Sequence, residues 1–245
     1  MSMSASNPGD HDGGGTAPES TPAVLRWLPE TGRAEQLMIL LHGSGSPASA
    51  MTPLAEVLRR AFPQAALLAP EGFVPDGDSD GDGAADRDPT SMIAPLLPRL
   101  QRWVHDAQRD SGVGPAATAL VGFSVGAMLA LELVQIEDGI AGRVLAFGGR
   151  YARLPDAAPR FTTLHLFHGA DDSVIPAAHA RAAIERLGAL HGDATIDIAG
   201  GTGHQLAPVL IDCALHRLRS HIPHRTWAAA LGAAPPGLHD QEREH

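Results

Sequence analysis

The sequence predicts an α/β fold: a mostly parallel central sheet with helices on both faces. Three observations predict it. Short, continuous apolar runs alternate with helical segments, as they do where each strand is buried on both faces and a crossover must follow it. One such run, Ala117 to Val121, passes directly into Gly122-Phe123-Ser124-Val125-Gly126 and then into a helical pattern. Another, Leu37 to Leu41, ends in His42-Gly43-Ser44-Gly45, a strand end followed by a glycine loop.

Taken in order, Val24 to Leu28 reads as an edge strand that turns through Pro29-Glu30-Thr31-Gly32 into the strand Leu37 to Leu41, an antiparallel start. A helix from about Ala50 to Ala61 and a strand Ala65 to Ala69 follow. The next helix is firm from Leu96 to Arg109, with Pro95 and Pro98 suited to its first turn rather than its interior. After the Ala117 strand comes a helix to about Ile136, then a strand Val144 to Phe147 and a strand Thr163 to Phe167. A helix Ala177 to Leu190, a strand Ala194 to Ile198 and a helix from about Gln205 to Arg219 complete the pattern. There is no internal repeat, and no stretch long enough for a large cap domain between Ile136 and Thr163.

With 245 residues and 44% hydrophobic content, the chain can bury one sizeable core, expected over residues 23–223. Met1 to Pro22 is rich in Ser, Gly, Pro and Asp and lacks the apolar centre of a signal peptide, so it is expected to be a disordered tail. Residues 224–245 include Ala233-Ala234-Pro235-Pro236-Gly237 and are expected to form a loosely attached tail that Trp227 docks.

A formal net charge of -10 argues against a nucleic-acid partner or an anionic membrane surface, both of which need a basic patch. No stretch is long and apolar enough for stable membrane insertion. The single cysteine, Cys213, excludes an internal disulfide framework and is expected as a buried structural thiol, which makes the cytoplasm the expected compartment. Oligomeric state leaves no signature in the sequence.

The chemistry centres on Ser124. A serine on a sharp strand-to-helix turn sits in a strained conformation, and its neighbours must have almost no side chain if strand and helix are not to clash. Gly122 and Gly126 meet that need. The helix beginning near Val125 points free N–H groups and its positive dipole end at any oxyanion formed beside Ser124. Downstream, the strand Thr163 to Phe167 delivers His168-Gly169-Ala170-Asp171-Asp172-Ser173-Val174-Ile175-Pro176 into a loop, and His204 follows a strand in Gly200-Gly201-Thr202-Gly203-His204. Nucleophile, acid and histidine thus follow one another in the order an α/β-hydrolase uses, each beyond the carboxyl end of a strand. From position alone either Asp171 or Asp172 could be the acid, the other meeting solvent or capping the next helix. The oxyanion hole is expected from the backbone N–H groups of Ser44 and Val125, with Gly43 and Gly45 giving that loop its freedom.

These motifs resemble the carboxylesterase/phospholipase type of bacterial serine esterase, related to lysophospholipases and acyl-protein thioesterases. The resemblance covers roughly residues 36 to 223. It includes Ser111-Gly112-Val113-Gly114, Ala117 to Glu132, and Arg143 to Leu154 with Gly149-Arg150-Tyr151-Ala152. It implies an α/β-hydrolase fold, a Ser124, Asp172 and His204 triad, and a small-molecule ester substrate cleaved without a cofactor. Asp172 is selected because the residues 168–176 match an HGxxDxVxP pattern whose acid falls there. One departure is Val125, where such enzymes usually carry Gln; the backbone donor survives and a side-chain amide is lost.

Short-chain esters, lysophospholipids and thioesters are all compatible with these residues. A peptidase or acyltransferase would use the same set. A non-catalytic binding protein of this fold is the competing class, against which the intact triad speaks. His42 and His168 are expected to brace loops at strand ends, and His216 and His221 to lie on the surface, so no metal is expected.

Asp76-Gly77-Asp78-Ser79-Asp80-Gly81-Asp82-Gly83 starts like a calcium loop, but Arg87 stands where a closing glutamate belongs, and a solvated acidic loop is expected instead. Following the strand that ends near Pro70, it is expected to reach the site rim and disfavour anionic substrates. Replacing Asp76, Asp78, Asp80 and Asp82 by Asn is therefore predicted to raise the rate on an anionic ester relative to a neutral one; unchanged relative rates in paired assays would dismiss that effect.

Overall fold

The computed structural model describes residues 22–73 and 89–230. The acidic stretch Asp76 to Arg87, the side chain of Trp227 and the outer parts of both expected tails lie outside the described residues. Among the described residues seven strands form one sheet: β1 (Val24–Trp27), β2 (Gln36–Leu41), β3 (Ala65–Pro70), β4 (Thr118–Phe123), β5 (Arg143–Phe147), β6 (Thr163–Gly169) and β7 (Ala194–Ala199). Their order is β1-β3-β2-β4-β5-β6-β7, and every pair is parallel except β1 with β3. The antiparallel start is present, but β1 pairs with β3 rather than folding back on β2. The parallel β2–β3 pair leaves the outer edge of β3 open, and β1 crosses β2 to take it.

The helices are α1 (Thr52–Ala61), α2 (Pro89–Ile93), α3 (Leu97–Ser111), α4 (Val125–Ile136), α5 (Ala178–Ala189), α6 (Pro208–Ser220) and α7 (His224–Ala230). Successive residues of each strand feed opposite cores. Leu37, Ile39 and Leu41 face one side of β2 and Met38 and Leu40 the other. The first core packs under α3, α4 and α5 and the second under α1 and α6. α3 has polar and apolar faces and Pro98 in its first turn, whereas α4 is buried over most of its surface and correspondingly apolar.

Strand order reverses between β2 and β4, because β3 extends the sheet to one side and β4 to the other. A reversal of this kind opens a crevice beyond the carboxyl ends of the two strands. The His42–Gly45 loop and Ser124 emerge there, next to each other.

The short helices α2 and α7 were not expected. Ile93 of α2 is fully buried in the first core. In α7, the backbone N–H of His224 donates to Asp193 Oδ2 at 3.2 Å, and Arg225 donates to Gly142 O at 3.2 Å and Thr163 Oγ1 at 3.1 Å. His221, expected on the surface, is largely buried, and its Nε2–H donates to Asp193 Oδ1 at 2.9 Å. His216 is exposed, and Cys213 in α6 is only partly buried.

A Cβ on Gly126 would lie 2.2 Å from Leu41 O and 2.6 Å from His42 O, both backbone atoms that cannot swing away. Gly126→Ala is predicted to cost about 3 kcal/mol or more of folding stability, measured by denaturant unfolding. Gly188→Ala in α5, where an added methyl meets nothing within 4 Å, is predicted to be neutral or to stabilise by up to ~1 kcal/mol. Equal losses in the two variants would show that the elbow is not tightly packed.

Candidate active site

Ser124 stands where β4 becomes α4, with φ 55° and ψ -119°. Side chains rarely adopt this region, and holding one there costs on the order of 1–3 kcal/mol. Secondary structure on both sides fixes it. The Ser124 N–H donates to Phe147 O at 2.9 Å, and Ser124 O accepts from the N–H groups of Ala127 and Met128 at 3.0 and 3.1 Å. Gly122 and Gly126 are glycines for the anticipated steric reason: a Cβ on Gly122 would sit 2.4 Å from Ala127 N.

His204 occupies the loop between β7 and α6. Its Nδ1 lies 2.8 Å from Asp172 Oδ2 and its Nε2 lies 2.9 Å from Ser124 Oγ. An ionised carboxylate can only accept, so the proton sits on Nδ1 and the Nε2 lone pair receives the serine hydroxyl. Residues 80 and 32 positions apart in sequence are thereby joined in one line.

The two candidate acids differ in burial. Asp171 is exposed, while Asp172 is buried against His204. Asp172 Oδ1 accepts from the backbone N–H groups of Val174 at 2.9 Å and Ile175 at 2.8 Å. Burial alone would push this carboxyl up. The hydrogen bond from His204, that from Ile175, the His204 charge and the Val174 amide outweigh it and hold Asp172 below the usual carboxylate range.

His168 braces the acid loop as expected: its Nε2–H donates to Ile175 O at 2.7 Å, with Asp172 Oδ2 3.3 Å away. The acid and histidine loops also hold each other. Asp171 N–H donates to Thr202 O at 3.0 Å, and a Cβ on Gly169 would lie 2.3 Å from that same oxygen.

Val125 is the first residue of α4, where an amide has no intrahelical partner. Ser44 lies in the loop after β2, whose Gly43 packs on Ser124: a Cβ there would be 3.4 Å from Ser124 Cβ and 3.2 Å from the Phe123 ring. Gly45 has φ 67°, so it supplies the left-handed turn the sequence suggested. Gly43 does not; its requirement is space.

Two supports escaped the sequence reading. The Phe123 ring packs on His204, centroids 4.9 Å apart. Gly148, with φ 55°, backs the imidazole so closely that a Cβ would lie 3.3 Å from Nδ1. The adjacent Gly148-Gly149 after the Val144 strand was the available signal. Tyr151, beyond them, is buried and accepts from Gln135 Nε2 at 3.4 Å, a packing role. A cavity of about 350 Å³ between β1 and α3, lined by Val24, Arg26, Trp103, Asp106 and Asp110 among others, includes none of the site residues.

Comparison with known proteins finds relatives over most of the chain. The family model described as Phospholipase/Carboxylesterase matches residues 28–222. Esterase YpfH of Escherichia coli (strain K12) is 39% identical over 213 residues, covering 84% of this chain and 92% of that protein. The crystal structure of esterase PE8 superposes with a TM-score of 0.72 at 27% identity, over 83% of this chain and 100% of that one. The Bacillus cereus carboxylesterase shares the fold, with a TM-score of 0.65 at 17% identity over 81% of this chain and 93% of its own. Sheet order, elbow and a match across most of the chain together make this protein a member of the phospholipase/carboxylesterase family of α/β-hydrolases.

Proposed function

We propose that Ser124 is the nucleophile, His204 the general base and acid, and Asp172 the orienting carboxylate of this carboxylic-ester hydrolase. The observation that carries the reading is the unbroken line from Ser124 Oγ through His204 to Asp172, with contacts of 2.9 and 2.8 Å. Ser124 Oγ attacks the acyl carbonyl while Nε2 of His204 takes its proton. The carbonyl oxygen becomes an oxyanion that accepts hydrogen bonds from the amides of Ser44 and Val125. As the intermediate collapses, His204 returns the proton to the departing alcohol or thiol oxygen or sulfur, and the acyl group stays on Ser124. A water, deprotonated by His204, then attacks the acyl carbon, and His204 passes that proton to Ser124 Oγ as the acyl–oxygen bond breaks and the free acid leaves. Asp172 keeps the imidazole in the tautomer this sequence needs.

The substrate is a small-molecule ester; short-chain esters, lysophospholipids and thioesters are the classes proposed. Residues 148–162 connect β5 to β6 without an inserted cap, and Val174 and Val209, flanking the acid and histidine loops, expose apolar side chains suited to an extended acyl group. The reading assigns the chemistry to one hydrolase domain over 23–223, with neither cofactor nor metal required. A cytoplasmic protein that binds no nucleic acid is proposed from the net charge and the lone cysteine. Among the described residues no helix is long and apolar enough to cross a membrane.

Ser124→Ala is predicted to abolish fluorophosphonate labelling and to lower ester turnover on the order of ten-thousand-fold or more. Labelling that persists would place the nucleophile elsewhere, and a wild-type protein that neither labels nor hydrolyses would make it a binding protein. A p-nitrophenyl ester series should then show turnover on short acyl chains and tolerance of extended ones.

A carboxyl held low in the folded state stabilises the protein at neutral pH and loses that contribution as pH falls through the folded value. Below about pH 4, the ordinary carboxylate range, Asp172→Asn should thus lose less stability on acidification than the wild type. Parallel acid limbs in thermal unfolding would contradict the hydrogen-bonded, ionised state assigned to Asp172.

A further inference from the structure

His42 is buried at the end of β2 and takes no part in the proton relay, yet it adjoins the loop that supplies Ser44. Its Nδ1–H donates to Gly43 O at 3.0 Å. Its Nε2, also buried, has no hydrogen-bond partner among the described residues and lies 3.6 Å from Glu71 Oε2. The other carboxylate oxygen of Glu71 accepts from Ala48 N–H at 2.8 Å, at the far end of the same loop. Glu71 is itself tied down, its own N–H donating to Ala23 O at 2.8 Å. Leaving a buried nitrogen unsatisfied costs on the order of 1–3 kcal/mol. An alanine or leucine at residue 42 would avoid that cost, so the contact that the ring does make calls for an explanation.

That contact is to one peptide plane. Gly43 O accepts from His42 and also from Ser46 N–H at 3.3 Å, so the carbonyl is held by two donors. The Gly43–Ser44 peptide is planar and trans, which turns the Ser44 N–H opposite to the Gly43 carbonyl. Fixing one end of the plane fixes the other, next to Gly43, which packs against Ser124.

We propose that His42 is a positioning residue that locks the Gly43–Ser44 peptide plane and thereby aims the Ser44 amide at the oxyanion formed on Ser124. The inference rests on the catalytic reading above. His42 does not touch substrate; it acts only through the backbone, so its contribution belongs to the transition state and not to substrate binding.

Asn and Gln at position 42 separate this role from packing, because an Asn amide can take the place of Nδ1 and a Gln amide that of Nε2. The full chain is assayed as wild type, His42→Asn, His42→Gln and His42→Leu with p-nitrophenyl butyrate, each normalised to active sites titrated by fluorophosphonate. A trifluoromethyl ketone, whose serine adduct carries an oxyanion, is measured as inhibitor. His42→Gln and His42→Leu are expected to lose roughly 10- to 100-fold in kcat, with KM within about twofold and inhibitor affinity falling by the factor lost in kcat. His42→Asn is expected to retain most of both. Gln performing as well as Asn, or kcat per active site within threefold of wild type in Gln, overturns the proposal even if His42→Leu does not fold. A lowered melting temperature with unchanged kcat per active site would reduce His42 to a packing residue. Activity that survives in Ser124→Ala would instead fell the catalytic reading.

Discussion

The near-contact between the first turn of α4 and the end of β2 governs everything built around it. Gly126 approaches the Leu41 and His42 carbonyls so closely that no β-carbon fits, and the same closeness holds Ser124 in a conformation it would otherwise leave. The strain is local and the restraint is distributed. The β4 and β5 strand ends, the α4 backbone and two glycines share it, which is how a sparsely populated dihedral persists in a folded protein. One consequence is that Ser124 and the His42–Gly45 loop occupy the same crevice at the strand-order reversal, so the proposed nucleophile and the proposed oxyanion donors arise from one packing event.

Asp172 and His204 come from separate loops, and the two loops hold each other. Asp171 and Gly169 press on the Thr202 backbone, His168 ties the acid loop to Ile175, and the Asp172 carboxylate gathers two amides and one imidazole. Phe123 and Gly148 then confine the imidazole, one by filling space and one by leaving it. Preorganisation of this kind matters because a relay contributes to catalysis only while its donors and acceptors stay within hydrogen-bond reach.

At the opposite end of the sheet a second polar cluster serves the fold. His165 is fully buried, its Nδ1 near Thr195 Oγ1 at 2.8 Å and its Nε2 near Arg143 at 3.0 Å. Burial, and then the Arg143 charge beside it, pushes its pKa down to about 3, so it stays neutral where an ordinary histidine would begin to charge. Asp193 collects Thr163, His221 and the His224 amide, joining the starts of β6 and β7 to the segment that enters α7. The two clusters use the same residue types for different ends.

The sequence by itself determined the alternation of strands and helices, the elbow at Ser124 and the chain order of serine, acid and histidine. These follow from local pattern: buried strands need continuous apolar runs, and a tight strand-to-helix turn needs small neighbours. It could not choose between Asp171 and Asp172 without a family resemblance, nor show that β1 would pair with β3, that Gly43 is needed for space rather than dihedral freedom, or that Phe123 and Gly148 would enclose His204. His221 looked like a surface residue because its partner, Asp193, lies 28 positions away. Such choices belonged to the tertiary structure. Burial, close approach and hydrogen bonding between distant segments are properties of pairs brought together by folding, and no single segment carries them.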